Sequence, residues 1–359
     1  MKKIISLFLV IITLLLSLAS CDGYYRPRES TKKEKETVIK LSFENETYEV
    51  KYELWRALYL THKDEVEGEG EEYVAKINAL ILERAADIYS VLALCDRVGI
   101  NLYSRSVEGE IEQYITESIE GGANAIGYGS YENYLKALKD MNLNYSVAVL
   151  LLRYEIGMRE LDNYYIGSFD TDDIQNGIEF GNLTYTREDI KNYYYSDECV
   201  RVLRAHLQAD AYYEPDTYAD EIRQEMEEAA IHGESAVAGV IINNSITSYY
   251  EAERGYVMAR HNLNKLYYSE LTDAAFGLNT GEVSEPVHVN SGDGEVIFIL
   301  YCAEKSDAHF DKSYSEIAYV YLTDTVGKTV AEVQSALVLS AEYTDSFYAI
   351  DYGQVSMNE

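Results

Sequence analysis

Few side chains in this sequence are arranged for nucleophilic or metal chemistry. His62, His232, His261, His288 and His309 show no metal-ligand spacing, and neither His-Glu-x-x-His nor Cys-x-x-Cys occurs. No Gly-x-Ser-x-Gly nucleophile elbow is present. No metal and no cofactor is therefore expected. The remaining histidine, His206, stands in Arg204-Ala205-His206-Leu207, inside the run Cys199–Leu207 that reads as a strand. A lone histidine on a strand is ordinarily a packed, hydrogen-bonded side chain, so whatever His206 does depends on the elements around it.

The clearest of those elements lie in Glu270–Leu300, ELTDAAFGLNTGEVSEPVHVNSGDGEVIFIL. Leu271, Ala274, Ala275 and Leu278 recur at i, i+3, i+4 and i+7, the spacing of one helical face. Asn279–Gly281 stops that helix with residues that tolerate left-handed backbone angles. Val283–Val287 is extended, with Pro286 suited to a strand edge or start. A Ser/Gly/Asp turn at Ser291–Gly294 then leads into the apolar run Val296–Leu300. Helix, turn, edge, turn and buried strand form the closing half of a small α+β domain.

At 359 residues the chain is long for one core and predicts two domains. With 47% hydrophobic and 26% charged residues it has ordinary globular composition, which excludes wholesale disorder. A net charge of −32 repels nucleic acid and anionic headgroups, so nucleic-acid binding is disfavoured. The 35 tyrosines against one tryptophan supply apolar area with a polar tip, suited to half-exposed contact surfaces, although compositional bias accounts for them equally well.

Residues 1–20 have the form of an export leader: Lys2-Lys3, the apolar run Ile4–Leu16, then Leu18-Ala19-Ser20 before Cys21. Asp22–Glu36 is polar and aperiodic, a tether. Thr37–Phe43 and Thr47–Val50 flank Glu44-Asn45-Glu46 as a hairpin. Helical patterns follow from Tyr52 and from Tyr73 to Tyr165, with the stripe Val74, Ile77, Leu80, Ile81, Ala85, Ile88, Val91 and Leu92 and a glycine-rich linker at Gly121–Gly129. Thr186 is a candidate N-cap with Asp189 three positions on. Tyr218–His232 reads as a helix and Ser235–Ile242 as a short helix or turn, and two more helices are expected at Tyr314–Leu322 and Lys328–Ile350.

Leu18-Ala19-Ser20-Cys21 resembles the bacterial lipobox, which implies acylation at Cys21 and a protein lipid-anchored to the outer face of a bacterial cell membrane. Ala274, Ala275, Phe276, Leu278, Gly281, Glu282, Val283, Ser284, Pro286 and Val287 resemble, in register, the last third of the parvulin family of peptidyl-prolyl isomerases. Ser130–Leu135 and Thr184–Tyr194 resemble helix starts of the PrsA/SurA-type foldases, in which a parvulin domain is set into a helical chaperone body.

That resemblance implies a division into a leader (1–20), a lipidated Cys21 with its tether (21–36), a helical chaperone-like domain (37–196), a parvulin-like domain with a four-stranded antiparallel sheet (197–305) and a C-terminal helical segment packing on the N-terminal domain (306–359). Rotating an X-Pro bond faces a barrier of about 18–20 kcal/mol and needs an apolar slot that stabilises a twisted amide, with no nucleophile or metal. By resemblance His206 takes the place of the family's first-strand histidine. The last-strand histidine is replaced by Val296, and Thr247 stands where the family has Asp or Cys two residues after the serine matched by Ser245. Tyr256, Met258, Tyr267, Leu271, Phe276 and Val296 are the implied substrate contacts. The family register, with His206 facing Val296, also implies that Cys199 comes within one position of facing Cys302, close enough to bridge outside the cytoplasm. The reading is thus a membrane-tethered folding factor that binds unfolded exported polypeptides, with isomerase activity weak or lost. Its alternative is an active isomerase. A solute-binding lipoprotein would require alternating βα units that the helical patterns do not provide.

Overall fold

The computed structural model describes residues 30–121, 126–167, 185–261, 268–291 and 294–357. The expected leader, Cys21, the tether up to residue 29, residues 122–125 and Tyr267 lie outside that set. The chain is α+β, with two antiparallel sheets among the described residues, and it divides into two compact units.

The first unit comprises Met1–Leu161 and Thr329–Glu359. Strands β1 (Thr37–Phe43) and β2 (Glu46–Lys51) form the expected hairpin, turning at Glu44 with a φ of 54°. Helices α1 (Tyr52–His62), α2 (Gly70–Arg97), α3 (Arg105–Glu120), α4 (Tyr131–Asp140) and α5 (Tyr145–Tyr165) follow. Of the expected stripe, Ile77, Ile81, Ala85, Ile88, Val91 and Leu92 are buried along α2, as a 3.6-residue period requires, while Val74 and Leu80 are only partly buried. Ser104 caps α3 by accepting from the Val107 N–H at 3.3 Å. Gly157 on α5 lets two helices approach closely, because a Cβ there would meet Val91 at 2.9 Å. Trp55 stacks on Tyr52 and Tyr59 with ring centroids 5.8 and 5.3 Å apart.

The C-terminal region differs from expectation. Instead of two helices ending at Ile350, one helix, α12 (Tyr314–Leu339), is followed by strand β7 (Glu342–Tyr343) and the short α13 (Asp345–Tyr348). Gly327 does not break α12, since one interior glycine costs only about 1 kcal/mol. Strand β7 pairs with β1 on the side opposite β2, and the Thr344 N–H donates to the Val38 carbonyl at 3.1 Å. Those backbone bonds on an otherwise open edge favour strand over helix at these residues.

The second unit is Asp162–Lys328. It contains α6 (Arg187–Tyr195), β3 (Cys199–Gln208), α7 (Pro215–Ala230), α8 (Glu234–Asn244), α9 (Tyr249–Arg254), β4 (Tyr256–Ala259), α10 (Ser269–Gly277), β5 (Val287–Ser291), β6 (Gly294–Cys302) and α11 (Asp307–Lys312). It is wider than the expected 197–305 because Phe310, Tyr314, Ile317 and Ala318 bury against Cys199, Val257 and Ala259 of the sheet. Thr186 and Asp189 cap α6 reciprocally, and Ser248 and Glu251 do the same for α9. The sheet order is β4-β3-β6-β5 with every neighbour antiparallel. The βα crossovers of a solute-binding fold are therefore not formed among the described residues.

The Gly281–Val287 stretch has a clear physical role. The Ser284 N–H donates to the Leu300 carbonyl at 2.8 Å, while its hydroxyl accepts from the Leu300 N–H at 2.9 Å. The Gly281 and Cys302 N–H groups are exchanged with the Cys302 and Glu282 carbonyls. These bonds pin the segment along β6 before β5 begins.

Candidate functional site

Side chains alternate along β3, so Arg201, Leu203, Ala205 and Leu207 share one face, and Val200, Val202, Arg204, His206 and Gln208 share the other. The first face is covered by α7 and α8, with Leu203, Ala205 and Leu207 buried among Ile222, Met226, Val237 and Ile241. The second face is partly covered by α10, through Leu271 and Ala275. Turning into β4, Gly255 holds a φ of 74°, and a Cβ there would lie 2.8 Å from the Val202 carbonyl oxygen.

The register across the second face sets His206 opposite Phe298, and Val296 opposite Gln208. The expected pairing of His206 with Val296 is off by two residues, which keeps both on one face but places an aromatic ring against the imidazole. The two rings lie 4.7 Å apart at 33°. Val287 completes that row on β5. The next row carries Arg204 and Leu300, and the one beyond it Tyr256, Val202 and Cys302.

The expected contact residues fall into two groups. Met258, Leu271 and Val296 are buried in one apolar cluster with Val200, Phe298 and Leu300. His206, Tyr256 and Phe276 remain partly exposed. Burial lowers the His206 pKa, and the Arg204 charge lowers it further, so the imidazole is neutral at pH 7. Its strand edge is occupied, since the Ile246 N–H donates to the His206 carbonyl at 3.0 Å. The Thr247 hydroxyl donates to the Arg204 carbonyl at 3.0 Å, and the Ser245 hydroxyl to the Ile241 carbonyl at 2.9 Å. Both hydroxyls therefore hold backbone, and neither faces the imidazole as a catalytic partner. The face offers one neutral imidazole and an apolar floor.

Sequence reasoning missed three members of this face. The Arg204 guanidinium lies 3.9 Å from the Tyr256 ring centroid and 5.4 Å from that of Phe298. Phe298 itself is buried beneath His206. Glu251 is held as a carboxylate by the Ser248 hydroxyl and the Tyr256 hydroxyl, which lower its pKa. Two-residue alternation from His206 would have found Arg204. Phe298 shares the parity of Val296.

The expected Cys199–Cys302 bridge is not formed: Cys95, Cys199 and Cys302 are all free and buried. Cys302 faces Val202, whereas Cys199 faces Ala259 and packs among Tyr193, Tyr194 and Phe310. Cys302 packs among Val200, Met258 and Leu271 instead. The two sulfurs project from opposite faces of the sheet, because the actual register differs in parity from a direct pairing of 199 with 302.

Among the described residues, no group of three or more His, Cys, Asp or Glu could hold a metal ion, and no helix is long and apolar enough to cross a membrane. No protein-family model matches the chain, and no curated protein matches it either. Among solved structures, it is similar to the foldase protein PrsA of Streptococcus pneumoniae, at 14% identity over 81% of this chain and 92% of that one, with a TM-score of 0.31. It is similar also to PrsA of Lactococcus lactis (14% identity, 89% and 99% covered, TM-score 0.25) and of Bacillus subtilis (16% identity, 77% and 86% covered, TM-score 0.24).

Proposed function

We propose that this chain is an extracytoplasmic folding factor, tethered through a lipidated Cys21, that binds unfolded exported polypeptides on a parvulin-like domain whose isomerase activity is weak or lost. The parvulin-like assignment rests on the run Ala274–Val287 and on the antiparallel order β4-β3-β6-β5 that it closes. The observation that carries the loss of catalysis is the Phe298 ring set against His206 at 4.7 Å, with Val296 standing in place of the family's second imidazole. A twisted amide requires preorganised donors in the slot, and the Ser245 and Thr247 hydroxyls are already bonded to backbone. Large apolar side chains remain exposed in each unit, among them Tyr103 and Tyr348 in the first, and Tyr213, Ile246 and Tyr249 in the second. Exposed groups of this type suit adaptable contacts to non-native chains.

An active isomerase differs from this reading only in turnover. The tests are suppression of aggregation of an unfolded protein by the purified mature chain, and a proline-peptide isomerisation assay with His206→Ala as control. Aggregation suppressed with no isomerisation above background fits the proposal. A rate that depends on His206 refutes the loss of catalysis. Failure to suppress aggregation refutes the folding-factor reading.

A further inference from the structure

We infer that Arg204 is the receptor for a carboxylate on the bound polypeptide, so that this face prefers client segments carrying Asp or Glu. The inference rests on the reading of this face as a client-binding surface, and it names what that surface selects.

Arg204 projects from the centre of β3, two residues from His206 and on the same face. Its guanidinium is held between the rings of Tyr256 and Phe298, at 3.9 and 5.4 Å from their centroids. Rings in those positions fix the cation and leave its N–H edge to make hydrogen bonds. That edge is incompletely used: Nε is buried without a hydrogen-bond partner, and the Tyr256 hydroxyl is the side-chain group it reaches. Glu251, a carboxylate that feels the Arg204 charge, is itself held by the Ser248 N–H at 3.1 Å, the Ser248 hydroxyl at 2.6 Å and the Tyr256 hydroxyl.

The same strand carries an internal standard. Arg201, three residues back and on the other face, is 4% exposed and meets both oxygens of Glu234, at 2.8 and 2.5 Å, with the carbonyls of Glu304 and Arg254 completing its set. An arginine in this sheet is thus fully satisfied where it serves structure. Arg204 keeps buried donor capacity on the partly exposed face, and a planar carboxylate is the group that fits such a fork.

The test uses the full mature chain and a fluorescein-labelled extended decapeptide with a central Glu, against the same peptide with Gln, read by anisotropy. The Glu peptide should bind about tenfold more tightly, the equivalent of one charge-assisted hydrogen bond at a half-buried site. In Arg204→Leu that preference should fall below about twofold, whatever happens to the overall affinity, and Arg204→Lys should retain part of it. If Arg204→Leu does not fold, the preference of the wild-type chain and its partial retention in Arg204→Lys decide the matter. Equal binding of the two peptides by the wild type, or a preference that survives Arg204→Leu, overturns the inference and leaves the folding-factor reading standing. Binding of neither peptide also overturns it; if aggregation suppression is lost as well, the folding-factor reading falls with it.

Discussion

On each face of the four-stranded sheet a strand arginine has a histidine for a neighbour, His309 of α11 on one side and His206 of β3 on the other, and the fold treats the two pairs differently. On the side covered by α7 and α8, Arg201 is saturated by Glu234 and two carbonyls. The neighbouring His309 accepts from the Tyr194 hydroxyl through Nδ1 at 2.8 Å and donates to the Arg254 carbonyl through Nε2 at 2.9 Å. On the other side, Arg204 lies between rings with a donor unused, and His206 stacks on Phe298 with a half-exposed ring. Burial alone does not separate these roles, because all four residues lose solvent. What separates them is how many of their hydrogen bonds the fold itself completes.

The largest expected effect comes from the satisfied arginine. Arg201→Met should destabilise the chain by about 3 kcal/mol, because it leaves a partly buried Glu234 and two carbonyls without their donors. Arg204→Met should cost about 1 kcal/mol, since it removes mainly ring contacts. Denaturant midpoints at constant slope measure both. Equal losses would erase the distinction between the faces.

The histidines provide the next test, through pH. Burial, then the Arg201 charge, pushes the His309 pKa down from 6.5 to about 4. The unfolded chain takes up its proton near 6.5 and the folded chain resists until about 4, so stability is complete above pH 6.5 and falls as pH drops toward 4. The loss should be about 2 kcal/mol, and His309→Gln should flatten the profile over that window. His206 is shifted in the same direction, and its half-exposed ring makes its share smaller. A profile unchanged by His309→Gln would show that the buried ring is not the titrating group.

Much of this arrangement was legible in the sequence because its signals are local. The hairpin, the Thr186–Asp189 cap and the Gly281–Val287 segment all depend on residues a few positions apart. The placement of β3 followed from its run of apolar residues. Its register against β6 did not, because Val296–Leu300 is apolar on both faces and a slip of two residues leaves the pattern unchanged. The two residues of β7 were too few to announce a strand at all. That Arg204 shares a face with His206 could be read from alternation, but its unused donor is a property of the packed neighbours and has no sequence signal.

A smaller effect is expected at Thr247, whose hydroxyl ties the loop to the Arg204 carbonyl at 3.0 Å. Thr247→Val keeps the shape and removes the donor, so it should cost about 1 kcal/mol of stability while leaving any isomerisation rate unchanged. A fall in rate without a fall in stability would make the hydroxyl part of the site and not of the scaffold.

The smallest expected effect is that of a reductant, which should leave the melting temperature unmoved. Cys199 faces Ala259 and Cys302 faces Val202, on opposite sides of the sheet, and no rotamer change carries a sulfur through the hydrogen-bonded backbone between them. In denaturant, Cys95, Cys199 and Cys302 should all react with a thiol reagent without prior reduction. Protection of Cys199 and Cys302 that is lifted by reductant would require β3 and β6 to pair in a different register. That register would put Arg204 and His206 on the face now closed by α7 and α8, and the contrast between the two faces would be reversed.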